Sequence, residues 1–266
     1  RSFFPDVLID EARRDLLRVL ADEGVDAVLL DETEGTHGSV QSYADAKACA
    51  ALLGRERGRI DGILVSLPNF GDEQGVADAL RFAGLDVPIL VQAYPDDLDQ
   101  LNVERRRDAY CGKISVCSNL RQYGLPYSLT RLHTVHPTDE SFRADLRDFV
   151  GVCRVANGLR RARIGAVGAR PGAFQTVRHS EKLLEASGIS VSTIDLSEIL
   201  GPAERIAGDD PRLAERVQAI RDYVPTDGVP AESFVRMARV ALVLDDWMAE
   251  NDLQATALQC WNSVQA

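Results

Sequence analysis

The residues able to do chemistry fall in four short runs, each directly after an apolar stretch. Pro68-Asn69-Phe70-Gly71-Asp72-Glu73 sets an aromatic beside an amide and a helix start, which suits the apolar face of a sugar ring. The plainer reading is a Pro–Gly turn with Asp72 as helix cap. Asp96, Asp97 and Asp99 form a carboxylate group of the kind that holds a hard cation such as Mg²⁺, although solvated loop carboxylates are commoner. Gly165 to Phe174 has the spacing G-x-x-G-x-x-x-G rather than G-x-G-x-x-G, and Arg170-Pro171 would crowd a pyrophosphate. Asp195, at the end of the next apolar run, has a simpler role in starting the helix at Ser197-Glu198. A helix N-terminus beside Arg170 still suits hydroxyls or an anion. Gln259-Cys260-Trp261-Asn262 pairs an amide with an aromatic platform, again favourable to a polyol, and otherwise a core Trp with a polar neighbour.

The histidines are less informative. His133 and His136 would lie on opposite faces of an extended segment and so would not share a metal. His37 reads as part of a turn and His179 as helical, and no spacing supports a Ser-His-Asp or Cys-His nucleophile.

Ligands of open α/β sheets bind beyond the carboxyl ends of the strands, so the elements before these runs decide their worth. Apolar periodicity predicts a helix over 6–22, a strand Val25–Leu30, a helix over 43–57, a strand Gly62–Leu67, a helix near 73–83 and a strand Val87–Gln92. Residues 93–138 read as loop-rich, and Ser141–Arg160 as a long helix. The pattern then restarts with strand Arg163–Val167, a glycine-rich turn, a helix to about 187 and strand Ile189–Asp195. Helices near 197–206 and 210–222 follow, then one over 231–250 with Phe234, Met237, Ala241, Leu244 and Met248 as its apolar stripe. Strand Leu253–Leu258 comes last. Such alternation implies parallel sheets covered on both faces. The expected fold is α/β: two doubly wound, mostly parallel, three-layer α/β/α domains, over 1–155 and 156–266. A helix as first element implies a strand ahead of Arg1, and a βα unit opening at Leu253 implies truncation at the other end.

Composition narrows the function. The 266 residues are 45% hydrophobic and 27% charged, as in ordinary globular proteins, and the length suits two domains. A formal charge of -11 disfavours nucleic acid and anionic membrane surfaces as partners. No apolar run reaches the roughly 18 residues of a membrane span, no signal peptide is visible, and a cytoplasmic protein is expected. The five cysteines, Cys49, Cys111, Cys117, Cys153 and Cys260, contain no C-x-x-C pair. Most read as small buried hydrophobes, and the set does not read as a disulfide or zinc framework.

Taken together, the runs Leu67–Glu73, Val91–Asp97, Cys111–Cys117 with Asn119–Tyr123, Ile164–Pro171 with Thr176–Arg178, and Ala257–Trp261 resemble the L-fucose isomerase-like family. The resemblance follows the chain from end to end. It implies an aldose–ketose isomerase in which a divalent metal, usually Mn²⁺, grips the open-chain sugar while carboxylates move a proton between C1 and C2 through an enediol. It also implies that the metal-binding Glu, Asp and His lie downstream, with a third domain that this chain lacks. No catalytic residue and no tight metal site are therefore assigned here, and the chain by itself is expected to be inactive. What carries over is substrate contact: Gln259 with Trp261, Phe70 as an aromatic reaching a neighbouring subunit's site, Arg1 as a similar cross-subunit contact, and Arg170 with Phe174 lining the pocket. The implied partners are a small-molecule sugar and further copies of the chain, in a homo-oligomer with sites at subunit interfaces. A two-lobed sugar-binding module without catalysis is the alternative.

Overall fold

The computed structural model describes residues 4–261, 263 and 264. The chain divides into two compact units, residues 1–157 and 158–266. No described helix is long and apolar enough to cross a membrane.

The first unit opens with α1 (Val7–Asp22), whose apolar stripe buries Leu8, Ala12, Val19 and Leu20. Helix α2 (Tyr43–Arg55) begins at Ser42, whose hydroxyl accepts the Asp45 N–H. Strand β1 (Ile63–Leu67) leads to α3 (Glu73–Ala83), capped by the Asp72 carboxylate, which accepts the N–H groups of Gln74 and Gly75. Gly84, at φ 55°, ends α3 in the left-handed conformation that glycine tolerates. Strand β2 (Ile89–Ala93), helix α4 (Ala109–Gln122), the short β3 (Ser128–Leu129) and α5 (Glu140–Leu159) complete the unit. Its sheet has the order β1-β2-β3, parallel throughout, with Ile63 opposite Ile89 and Leu90 opposite Ser128. Every residue of β2 is buried, and the core gathers Val65, Leu67, Val91 and Ala93 with Val116 and Leu120 of α4. Arg143 of α5 bridges Asp22 and Glu23 at the end of α1, at 3.0 and 2.9 Å, and this bond holds the Glu23 carboxyl below its ordinary range.

The second unit holds β4 (Arg163–Val167), α6 (Glu181–Ala186), β5 (Ser190–Ile194), α7 (Ser197–Arg205), α8 (Pro211–Tyr223), α9 (Ala231–Glu250) and β6 (Ala255–Leu258). Its sheet, also parallel, is ordered β5-β4-β6. Leu213 of α8 packs on Ala238 and Leu242 of α9.

Several expectations need correction. Among the described residues, Val25–Leu30 pairs with no strand; it is irregular and partly exposed, because a strand exists only where a neighbour takes its hydrogen bonds. The stretch read as loop contains α4. The buried stripe of α9 is Phe234, Ala238 and Leu242, one step round the helix from the expected set, so Met237 is 52% exposed. His179 precedes α6 instead of lying in a helix. Of the cysteines only Cys153 is buried; Cys111 and Cys260 are exposed.

Candidate functional site

Each unit gathers candidate residues at the carboxyl ends of its strands. In the first, the loop after β1 turns at Asn69, whose side-chain oxygen accepts the Gly71 N–H at 3.1 Å. Gly112 of α4 lies against this loop so closely that a Cβ there would run into the Phe70 carbonyl. Phe70 is half-buried and stacks on Phe4, with ring centroids 5.8 Å apart and planes 12° from parallel. Arg106 lies over the other ring of that pair, 5.1 Å from the centroid of Phe4.

The loop after β2 is equally tied. Tyr94 is buried, and its hydroxyl donates to the carbonyl of Ala12 in α1 at 3.0 Å. The guanidinium of Arg107 sits 4.9 Å from the Tyr94 centroid and donates to the Pro68 carbonyl at 2.8 Å. Asp96 accepts the N–H groups of Arg107 and Asp108, both at 3.0 Å, while Asp97 accepts from the Asp99 N–H and the Gln100 amide. These carboxylates are loop fasteners. Among the described residues, no group of three or more His, Cys, Asp or Glu is placed to hold a metal ion.

The histidines separate. His133 leans on Tyr110, whereas His136 meets Tyr94 edge-on, accepts from Thr138 at Nδ1 and turns Nε2 toward Asp15 at 3.6 Å. His37 faces Asp6 and Asp10 from a turn.

In the second unit four candidates meet. Gly168 ends β4 at φ 76°, and its N–H donates to the Ile194 carbonyl. The turn is then held by Gln259, just past β6: its Oε1 accepts the Ala169 N–H at 2.7 Å and its own N–H donates to the Val167 carbonyl at 3.0 Å. Gln259 packs so tightly there that a Cβ at residue 168 would collide with its amide. Arg170 folds its guanidinium back on the carbonyls of Pro171 and Phe174, at 3.2 and 2.8 Å, closing the loop. That closure brings Phe174 edge-on to Trp261, with centroids 4.4 Å apart, and Trp261 remains 42% exposed. Asp195 accepts from both the N–H and the hydroxyl of Ser197, which lowers its pKa; it starts α7, as the simpler reading expects.

Gln259, Trp261, Arg170 and Phe174 thus come together, and Phe70 stands in the other unit's loop cluster. Arg1 lies outside the described residues. Sequence reasoning did not anticipate the Phe4–Phe70 stack or the arginines over Phe4 and Tyr94, since residues far apart in sequence meet there with no spacing signal. The gripping of Ala169 was foreshadowed only by the glycine directly after a strand.

The order strand, aromatic or amide loop, helix is thus repeated at both sheets. Comparison with curated proteins finds no match. The family model described as the fucose/sulfoquinovose isomerase N-terminal domain, however, matches residues 1–160, and the chain belongs to that family.

Proposed function

We propose that this chain supplies sugar-holding loops to an aldose–ketose isomerase, which moves a proton between C1 and C2 of an open-chain sugar through an enediol. Family membership supports a sugar isomerase. The observation that carries the assignment of residues is the joining of Gln259, Arg170, Phe174 and Trp261 where β4 and β6 end.

In this reading Phe174 and Trp261 face the C–H side of the sugar. The Gln259 amide works at both ends, its oxygen fixing the Ala169 turn while its NH₂ group donates to a sugar hydroxyl. Arg170, engaged with backbone carbonyls, positions the loop instead of touching substrate. Phe70 would offer a second aromatic face to a site in a neighbouring copy, within a cytoplasmic homo-oligomer. The Mn²⁺ implied by the resemblance would polarise the sugar oxygens, but the described residues do not fit it: no suitable ligand group exists, and Asp96 and Asp97 already serve loop amides.

Two substitutions separate the two roles of Gln259 in the catalytically active enzyme. Gln259→Glu keeps the acceptor for Ala169 but removes the amide donors. A lost neutral hydrogen bond is worth about 0.5–1.5 kcal/mol, so kcat/KM should fall roughly two- to tenfold with the melting temperature held. Gln259→Leu should lower both. If Gln259→Glu turns over sugar like the parent, the residue only fastens the turn. Calorimetry with aldoses in EDTA addresses the alternative: tight metal-free binding would favour a sugar-binding module over an isomerase.

A further inference from the structure

The buried polar side chains among the described residues are Asp45, Asn69, Asp78, Gln92, Lys113 and Thr130. All but one are spent inside the fold. Asp45 accepts from the Thr36 hydroxyl and the Gln41 N–H, and Asp78 meets Arg81. Lys113 and Thr130 bond each other and nearby carbonyls. Gln92 uses both ends of its amide, accepting from Ser66 and donating to the Val135 carbonyl. Asn69 is the exception. It is only 8% exposed and its oxygen holds the Gly71 N–H, yet among the described residues no group accepts from its NH₂. The side-chain donors sealed away without an acceptor are Nε of Arg13 and Arg239. The Asn69 NH₂ group is not one of them, so it is partnerless but open to a small acceptor.

Asn69 lies just past the carboxyl end of β1, where ligands of open α/β sheets bind. It helps to line a cleft of about 710 Å³. Asp6, Arg13, His37 and Asp72 share that lining, and each is already engaged. Asp72 caps α3, Arg13 donates to the carbonyls of Leu30 and Gly38, and His37 faces Asp6 and Asp10. The unspent group beside them is a neutral donor. Its complement is a neutral oxygen, since the Asp72 carboxylate, three residues on, disfavours an anion.

We propose that Asn69 is a substrate-binding residue, whose NH₂ group donates to a hydroxyl oxygen of the open-chain sugar on which the adjacent Phe70 lays its ring. The assignment rests on the isomerase reading above and adds the polar half of that loop's contact. Because the Gly71 bond occupies the amide oxygen, the donor edge is what meets the sugar. The loop therefore tells a hydroxyl from a hydrogen at one carbon.

The test replaces each hydroxyl of an accepted aldose in turn by fluorine, which accepts a hydrogen bond but never donates, and by hydrogen, which does neither. At one position the parent enzyme should take the fluoro sugar with a KM roughly two- to tenfold lower than the deoxy sugar. Asn69→Asp keeps the oxygen for Gly71 but turns the open edge into an acceptor. It should reverse that order with kcat and melting temperature held, as expected of a contact made equally in ground and transition states. Asn69→Ser keeps a turn-forming oxygen on a shorter arm and should abolish the discrimination, which preserves the test if the Asp variant does not fold. The same KM order in parent and variants would overturn the assignment. So would a lowered melting temperature with unchanged KM, which would leave Asn69 fastening the turn alone. A parent enzyme that isomerises no aldose would overturn the isomerase reading itself, and this contact with it.

Discussion

At Gly112 a single hydrogen atom decides how close α4 comes to the loop that carries Phe70. Replacing glycine by alanine inside a helix ordinarily stabilises by about 1 kcal/mol. Here the new methyl group would meet the Phe70 carbonyl, which is backbone and cannot swing away. Overpacking of this kind costs about 1–3 kcal/mol, enough to outweigh the propensity gain. Gly112→Ala should therefore lower the urea midpoint and shift the Phe70 ring resonances. A variant as stable as its parent would mean that the loop yields freely, and that Phe70 is not held in a fixed pose.

At the scale of elements, α4 is fastened by a buried lysine. The ammonium group of Lys113 donates to the Thr130 hydroxyl at 2.8 Å and the His133 carbonyl at 2.9 Å, joining the helix to the segment after β3. Burial pushes its pKa below the ordinary 10.5. The folded protein thus gives up this proton more readily than the unfolded chain does. The penalty is complete below the depressed pKa and is relieved as pH rises toward 10.5. Lys113→Met keeps the apolar stem but strands two acceptors, at a cost of about 1–3 kcal/mol near neutrality. The gap between parent and variant should widen as pH climbs through that window, as measured by denaturant midpoints. Parallel profiles would show that Lys113 titrates as though exposed. The helix itself was legible in part. Ala109, Val116 and Leu120 keep the helical period, but Gly112 and Lys113 occupy buried positions where a sequence reading looks for apolar side chains. Elements whose buried face is purely apolar, such as α1 and α5, were placed to within a residue or two. The Val25–Leu30 segment failed for the opposite reason: its own residues favour a strand, but pairing is a property of the neighbour. The site divided the same way. That Gln259 and Phe70 lie just past strand ends could be read from sequence, whereas the contacts between distant loops could not.

Across the whole molecule the two units are built to different depths. The first encloses β2 completely and surrounds it with several apolar clusters. In the second, β5 and β6 contain no buried residue, and the apolar cluster described there joins helices α8 and α9. Local stability follows burial. Native-state hydrogen exchange should therefore find the amides of β5 and β6 opening about 100-fold faster than those of β2. Equal protection of both sheets would show that the second sheet has cover that the described residues do not provide. The loops holding Gln259 and Phe174 belong to the unit expected to open more readily.

Tyr94 has a consequence of a different kind, an optical one. Its phenol is buried with the hydroxyl on α1, and desolvation drives its pKa far above the usual value for tyrosine. Ionisation is strongly disfavoured while α1 stays docked over it. In a rapid jump to alkaline pH, the near-ultraviolet absorbance of phenols open to solvent rises within the mixing time. The absorbance of Tyr94 should follow only at the rate at which α1 lifts from the sheet. The protein would then report the departure of its first helix as a delayed colour change, with no label attached.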